Sequence, residues 1–100
     1  MIYLDHNATT PVSEEVLQAM IPFFQGNFGN ASGFYKPARE AHAAISHARA
    51  TIAECIGASP GEIIFTASGT EADNLCLRGV ASAFHGKRVH IITSSIEHRS

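Results

Sequence analysis

The chain predicts an α/β fold, and three observations carry that prediction. An apolar run of strand type, "EIIF", ends at Phe65. A helical repeat of apolar residues then extends from Ala72 to Phe84, and a second strand-type run, "VHIITS", begins at Val89. Strand, helix and strand within that length form a βαβ unit, which favours parallel pairing of the two strands. One hundred residues suffice for at most one small domain. With 45% hydrophobic and 16% charged residues, the composition is that of a globular rather than a disordered chain. A net charge of -2 supplies no basic field for nucleic acid. No apolar run reaches the ~18 residues that span a bilayer. The N-terminus "MIYLDHNATTP" lacks a cationic segment followed by an apolar run, so no signal peptide is expected and the expected location is the cytoplasm.

The elements follow in order. "IYLD" is a short strand-type run, broken by "HNATTPV" with its Asn7, two threonines and Pro11. A helix is predicted after Ser13, a good N-cap, with Glu14 and Glu15 in the first turn where the helix dipole favours acids. Val16, Met20, Phe23 and Phe24 form its apolar stripe. "GNFGNASG" reads as a loop whose glycines permit close approach or positive φ. A longer helix is expected from about Pro37 to Ile56, with Ala41, Ile45, Ala48, Ile52 and Ile56 on one face and Gly57 as its stop. "SPGE" makes a turn before the buried strand. The last helix carries Ala72, Leu75, Cys76, Gly79, Val80, Ala83 and Phe84 at three- and four-residue spacing and ends at "HGKR". There is no internal repeat, linker or low-complexity tract.

The junction "FTASGTEADN" carries the chemistry. Ser68 and Glu71 stand three apart as a capping box, the serine accepting from the Glu71 N–H and the glutamate reaching back to the Ser68 N–H. Gly69 and Thr70 then become the first helical residues, with outward N–H groups and about half a positive charge from the helix dipole. Gly69 puts no side chain in a ligand's way, and Ser68 and Thr70 add hydroxyls. Such a terminus suits an anion, phosphate above all, and it follows the carboxyl end of a strand, where open α/β sheets place ligands. The same pattern also serves as a plain capped helix with water at its end. The junction has neither the GK[ST] of a nucleoside triphosphate loop nor the GxGxxG of a dinucleotide site.

His98, just past "VHIITS", is placed by parallel pairing on the same rim as Thr70. Its imidazole either serves the structure or stacks on a flat heteroaromatic ring whose phosphate sits at the helix end. Cys55 and Cys76 fall on apolar helix faces and read as small buried side chains, and a disulfide is not expected in a reducing compartment. The six histidines include His42 and His47 five apart, but no HExxH or CxxC pattern, so no metal site is expected.

"YLDHNATTPV", "FGN", "EIIFTASGTEADN" and "HIITSSIEH" occur in the order and spacing of the N-terminal part of the cysteine desulfurases. The chain thus resembles, over nearly its whole length, the NifS/IscS-type pyridoxal-phosphate enzymes of aminotransferase class V. The resemblance implies the N-terminal portion of the large domain of the fold-type I pyridoxal-phosphate transferases, a parallel-type sheet with flanking helices, incomplete within residues 1–100. Residues 1–12 would pack with a small domain outside this sequence. By the same resemblance Gly69 and Thr70 bind the cofactor phosphate of pyridoxal 5'-phosphate, and His98 stacks on its pyridine ring as a catalytic residue. Asn7, Ala8 and Thr9 lie near the substrate mouth. The family takes sulfur from L-cysteine, leaving alanine and a persulfide on an enzyme cysteine, and passes the sulfur to acceptor proteins, iron–sulfur clusters or thiolated nucleotides. A homodimer is implied for the complete enzyme. Selenocysteine lyases and cysteine-sulfinate desulfinases share the class, and a non-catalytic remnant that binds a partner chain is the reading from outside it.

Three departures bear on that expectation. The family's "TSGGTE" is here "TASGTE", Thr66 to Glu71, in which Ser68 keeps a cap. Its "NPSSxH" is here "NASGFY", Asn30 to Tyr35, with Gly33 and Tyr35 at its second serine and its histidine, so no local role for that serine and histidine is carried over. The lysine that attaches the cofactor, the carboxylate facing the pyridine nitrogen and the persulfide cysteine all lie beyond position 100 in the family. Lys36, in a loop before a helix, and Lys87, at the amino end of a strand, do not match that lysine, and Cys55 and Cys76 do not match that cysteine. These 100 residues alone are therefore expected to be inactive.

Overall fold

The computed structural model describes residues 2–84 and 90–98. The chain divides into two units, Met1–Ile63 and Ile64–Ser100.

In the first unit, residues 6–8 turn over the carbonyl of Asp5, which accepts the N–H groups of Ala8 and Thr9 at 3.1 and 3.4 Å. Helix α1, Glu14–Gln25, starts where Ser13 predicts, with the serine hydroxyl accepting the Val16 N–H. Helix α2, Lys36–Ile56, has Pro37 in its first turn and stops at Gly57, whose φ of 68° and ψ of 29° place it in the left-handed region that glycine enters at little cost. Lys36 is thus the first residue of α2 rather than part of the preceding loop, and its Nζ lies 3.8 Å from Glu40. The glycine loop works by close approach. A Cβ on Gly29 would collide with the Pro37 carbonyl, and one on Gly33 with the Tyr35 ring and Ala38. Ala38 and Ala41 are buried near the start of α2, and Ala53 near its end. There the "SPGE" turn is a 3₁₀ turn, Pro60–Glu62, packed on α2 and closed by the Glu62 carboxylate accepting the Ser59 N–H at 2.7 Å. Arg49 of α2 donates to the Ile63 carbonyl.

In the second unit, helix α3 spans Gly69–Ala83 with Ser68 as N-cap. Its expected "HGKR" terminus lies outside the described residues, as does Lys87.

The expected sheet is not formed among the described residues. "IYLD", "IIF" and the described part of "VHIITS" carry no strand. Ile63 is extended, at φ −95° and ψ 120°, but its backbone bonds go to the Pro60 carbonyl and to Arg49 rather than to a strand. A strand takes its ladder of hydrogen bonds from a neighbouring segment, so strand composition alone does not make one. The strand expected to be buried is open: Ile64 is 68% exposed. Cys55 and Cys76 are free thiols and exposed, which corrects the expectation of burial. They stand among apolar neighbours, Ile52, Ile56, Leu75 and Leu77, that are themselves uncovered. No helix among the described residues is long and apolar enough to cross a membrane.

Candidate functional site

The start of α3 is built by three short hydrogen bonds. Ser68 Oγ accepts the Glu71 N–H at 3.2 Å. Thr66 donates its hydroxyl to the Ser68 carbonyl at 3.0 Å, which holds the approach to the cap. The Glu71 carboxylate accepts the Ala67 N–H at 2.7 Å, one residue further back than the expected Ser68 N–H. Ser68 is almost fully extended, at φ −160° and ψ 163°, and the chain before it is stretched out within reach of the glutamate.

This geometry decides what the helix end offers. The N–H groups of Gly69 and Thr70 belong to the first turn, which has no carbonyl one turn back to receive them. The one acidic side chain of that turn, Glu71, has an oxygen committed backward to Ala67. A Cβ placed on Gly69 would meet nothing within 4 Å. The first turn of α3 is therefore open and partially positive, with a hydroxyl at Thr70 beside it.

Thr70 lines a shallow, open hollow along α3 together with Ser68, Asn74 and the cation Arg78. His98 lines a second cavity of ≈ 430 Å³, with Asp73, Cys76 and Glu97. The two cavities share Asn74, whose amide donates to the Thr70 carbonyl at 2.9 Å. Thr70 and His98 thus border neighbouring hollows of the same unit rather than one hollow. Asn74 is the residue that sequence reasoning passed over. Its signal was the four-residue spacing from Thr70, which puts both on one helix face. Asn7, Ala8 and Thr9 belong to the first unit and are exposed there.

The family model of aminotransferase class V matches residues 2–100. The chain belongs to that family. It is 52% identical over 99 residues to a putative cysteine desulfurase IscS 1 of Bacillus subtilis (strain 168), covering 99% of this chain and 26% of that protein. It is 50% identical over 99 residues to a cysteine desulfurase IscS of Dictyoglomus turgidum (strain DSM 6724 / Z-1310), covering 99% and 25%. A solved NifS-like protein superposes with a TM-score of 0.78 at 40% identity, over 83% of this chain and 23% of that one. The chain spans about a quarter of the length of the curated relatives it matches.

Proposed function

We propose that these residues supply the phosphate and ring contacts of a pyridoxal-phosphate-dependent cysteine desulfurase acting on L-cysteine. The observation that carries the reading is the open first turn of α3, in a chain whose relatives are named cysteine desulfurases. The site fits the cofactor's phosphate: first-turn N–H groups, the Thr70 hydroxyl and an empty approach over Gly69 are donors and space for a dianion. Ser68 keeps those N–H groups in place, and Glu71 keeps its charge on Ala67.

When bound, the cofactor supplies an electron sink that weakens bonds at the substrate's carbons. The chain's own residues hold and orient. Gly69 and Thr70 would hold the phosphate, and His98 would lie against the pyridine ring. Asn74 braces the first turn through the Thr70 carbonyl. By the family resemblance, Asn7, Ala8 and Thr9 would lie near the substrate. The covalent lysine and the persulfide cysteine belong, in this reading, to the part of the relatives that this chain does not span, where the fold-type I sheet would also be completed. A homodimer and a cytoplasmic location belong to the same proposal.

The test is a hybrid in which residues 1–100 replace the matching segment of the Bacillus subtilis relative. The hybrid should retain pyridoxal phosphate and release alanine from L-cysteine. His98→Ala should alter the visible cofactor spectrum and lower turnover more than it lowers cofactor retention. A hybrid that holds no cofactor, or a His98→Ala spectrum and rate equal to the parent's, would overturn the reading.

A further inference from the structure

The peptide unit between Ser68 and Gly69 is held more firmly than a helix start requires. A peptide unit is planar and trans, so its C=O and N–H point in opposite directions and turn together. Gly69 leaves the approach to this unit empty, and the same missing Cβ leaves the unit free to rotate. The Ser68 carbonyl is gripped twice. It accepts the Ala72 N–H at 3.1 Å, the first bond of the helix, and the Thr66 hydroxyl at 3.0 Å. A carbonyl oxygen has two lone pairs, and both are in use. Thr66 is half-buried, whereas Ala67, Ser68, Gly69 and Thr70 are exposed. The second grip thus comes from the better-packed end of an open turn, and all of it lies within the second unit.

The Ala72 bond belongs to any helix start; the Thr66 bond is additional. A second donor on a carbonyl polarises the whole amide and makes the N–H of the same unit a stronger donor. Here that N–H is Gly69's, which has no carbonyl one turn back to receive it. Asn74 makes the equivalent bond to the Thr70 carbonyl, but the N–H of that unit is Glu71's and is already spent on Ser68. Of these two side chains, Thr66 is the one that acts on an N–H open to a ligand.

We propose that Thr66 is a positioning residue whose hydroxyl, bonded to the Ser68 carbonyl, aims and strengthens the Gly69 N–H as a donor to the cofactor's phosphate. The proposal rests on the phosphate reading of α3 given above and deepens it.

The test compares the dissociation constants of pyridoxal phosphate and pyridoxal in the hybrid. The parent should prefer the phosphorylated form. Thr66→Val keeps the branched shape and removes the hydroxyl. It should narrow that preference about two- to tenfold, the size of one neutral hydrogen bond, and leave pyridoxal affinity at the parent value. General damage to the fold would weaken both ligands alike. An unchanged preference, or equal weakening of both, would overturn the proposal. Thr66→Ser keeps the donor and should keep the parent's preference; a loss as large as that of Thr66→Val would overturn it too. A second measurement needs no substitution. With nitrogen-15 glycine in the parent hybrid, the Gly69 amide proton should move downfield on addition of inorganic phosphate, and an unmoved signal would overturn the assignment of that donor. A parent hybrid without preference for the phosphorylated form brings down the phosphate reading, and this inference with it. A parent that prefers it, with Thr66→Val preferring it equally, sinks this inference alone.

Discussion

Helices α1 and α3 begin on the same cap. Each has a serine, Ser13 or Ser68, whose hydroxyl accepts the N–H of the third helical residue, Val16 or Glu71. They differ in the two residues between. α1 places Glu14 and Glu15 there, and brings its own anions to its positive end. The Glu15 carboxyl is held below the usual glutamate range, chiefly by its own backbone N–H and next by the Ser13 hydroxyl. Glu14 is engaged by Gln18, whose side-chain amide donates to it at 2.7 Å. α3 places Gly69 and Thr70 at the same two positions and directs its single first-turn acid backward to Ala67. One terminus carries its own acids at these two positions, and the other carries none there, which is what the proposed phosphate site would need. A capping serine fixes where a helix starts; the two residues after it decide whether the start is a site.

Grafting the first pattern onto the second should have the largest effect. Gly69→Glu in the hybrid puts a carboxylate at the proposed phosphate position. Like charges brought together cost several kcal/mol, so cofactor affinity should fall by more than about a hundredfold. Equilibrium dialysis against pyridoxal phosphate checks this, and near-parent affinity would erase the distinction between the two helix starts.

The cap itself sharpens the comparison. Ser13→Ala and Ser68→Ala should each cost about 1 kcal/mol of stability, seen in denaturant unfolding. Only Ser68→Ala should also hasten cofactor loss, because only that cap holds N–H groups assigned to a ligand. Equal cofactor loss from both would mean that the effect is general destabilisation.

The smallest effect is a pH dependence at the start of α1. The folded pKa of Glu15 is depressed, so its contribution to stability is present above the ordinary glutamate value and is lost as pH falls through the lowered folded value. The Glu15 side-chain carbon should titrate below the ordinary carboxylate range by nuclear magnetic resonance. Ser13→Ala should move that titration back toward the ordinary range. A titration at the ordinary value would remove the claim that α1 satisfies its own terminus.

Local signals were legible in the residues because their partners are a few positions away. Ser13, Gly57 and Ser68 set helix boundaries through bonds to the third or fourth neighbour, and α1, α2 and α3 start or stop where those residues stand. The βαβ sheet was not legible in the same way. The apolar runs before Phe65 and after Val89 have strand composition, but pairing is a property of two segments, and Ile64 and Ile92 stay largely open among the described residues. Cys55 and Cys76 were misjudged for the same reason, since a periodic apolar face states that a cover is needed and not what supplies it. At the candidate site, Ser68, Gly69 and Thr70 were legible from capping chemistry alone. The backward reach of Glu71 to Ala67 and the brace from Asn74 were not, because each depends on how far the backbone is extended or which helix face is shared.

The most direct measurement of the central claim is the pyridoxal-phosphate dissociation constant of Thr70→Ala in the hybrid. The substitution removes one hydroxyl that would donate to a charged oxygen and leaves the Ser68 cap intact. Such a bond is worth ~1.5–3 kcal/mol, so the constant should rise by roughly tenfold to a hundredfold. A constant equal to the parent's would show that the first turn of α3 is a capped helix end and not the phosphate site.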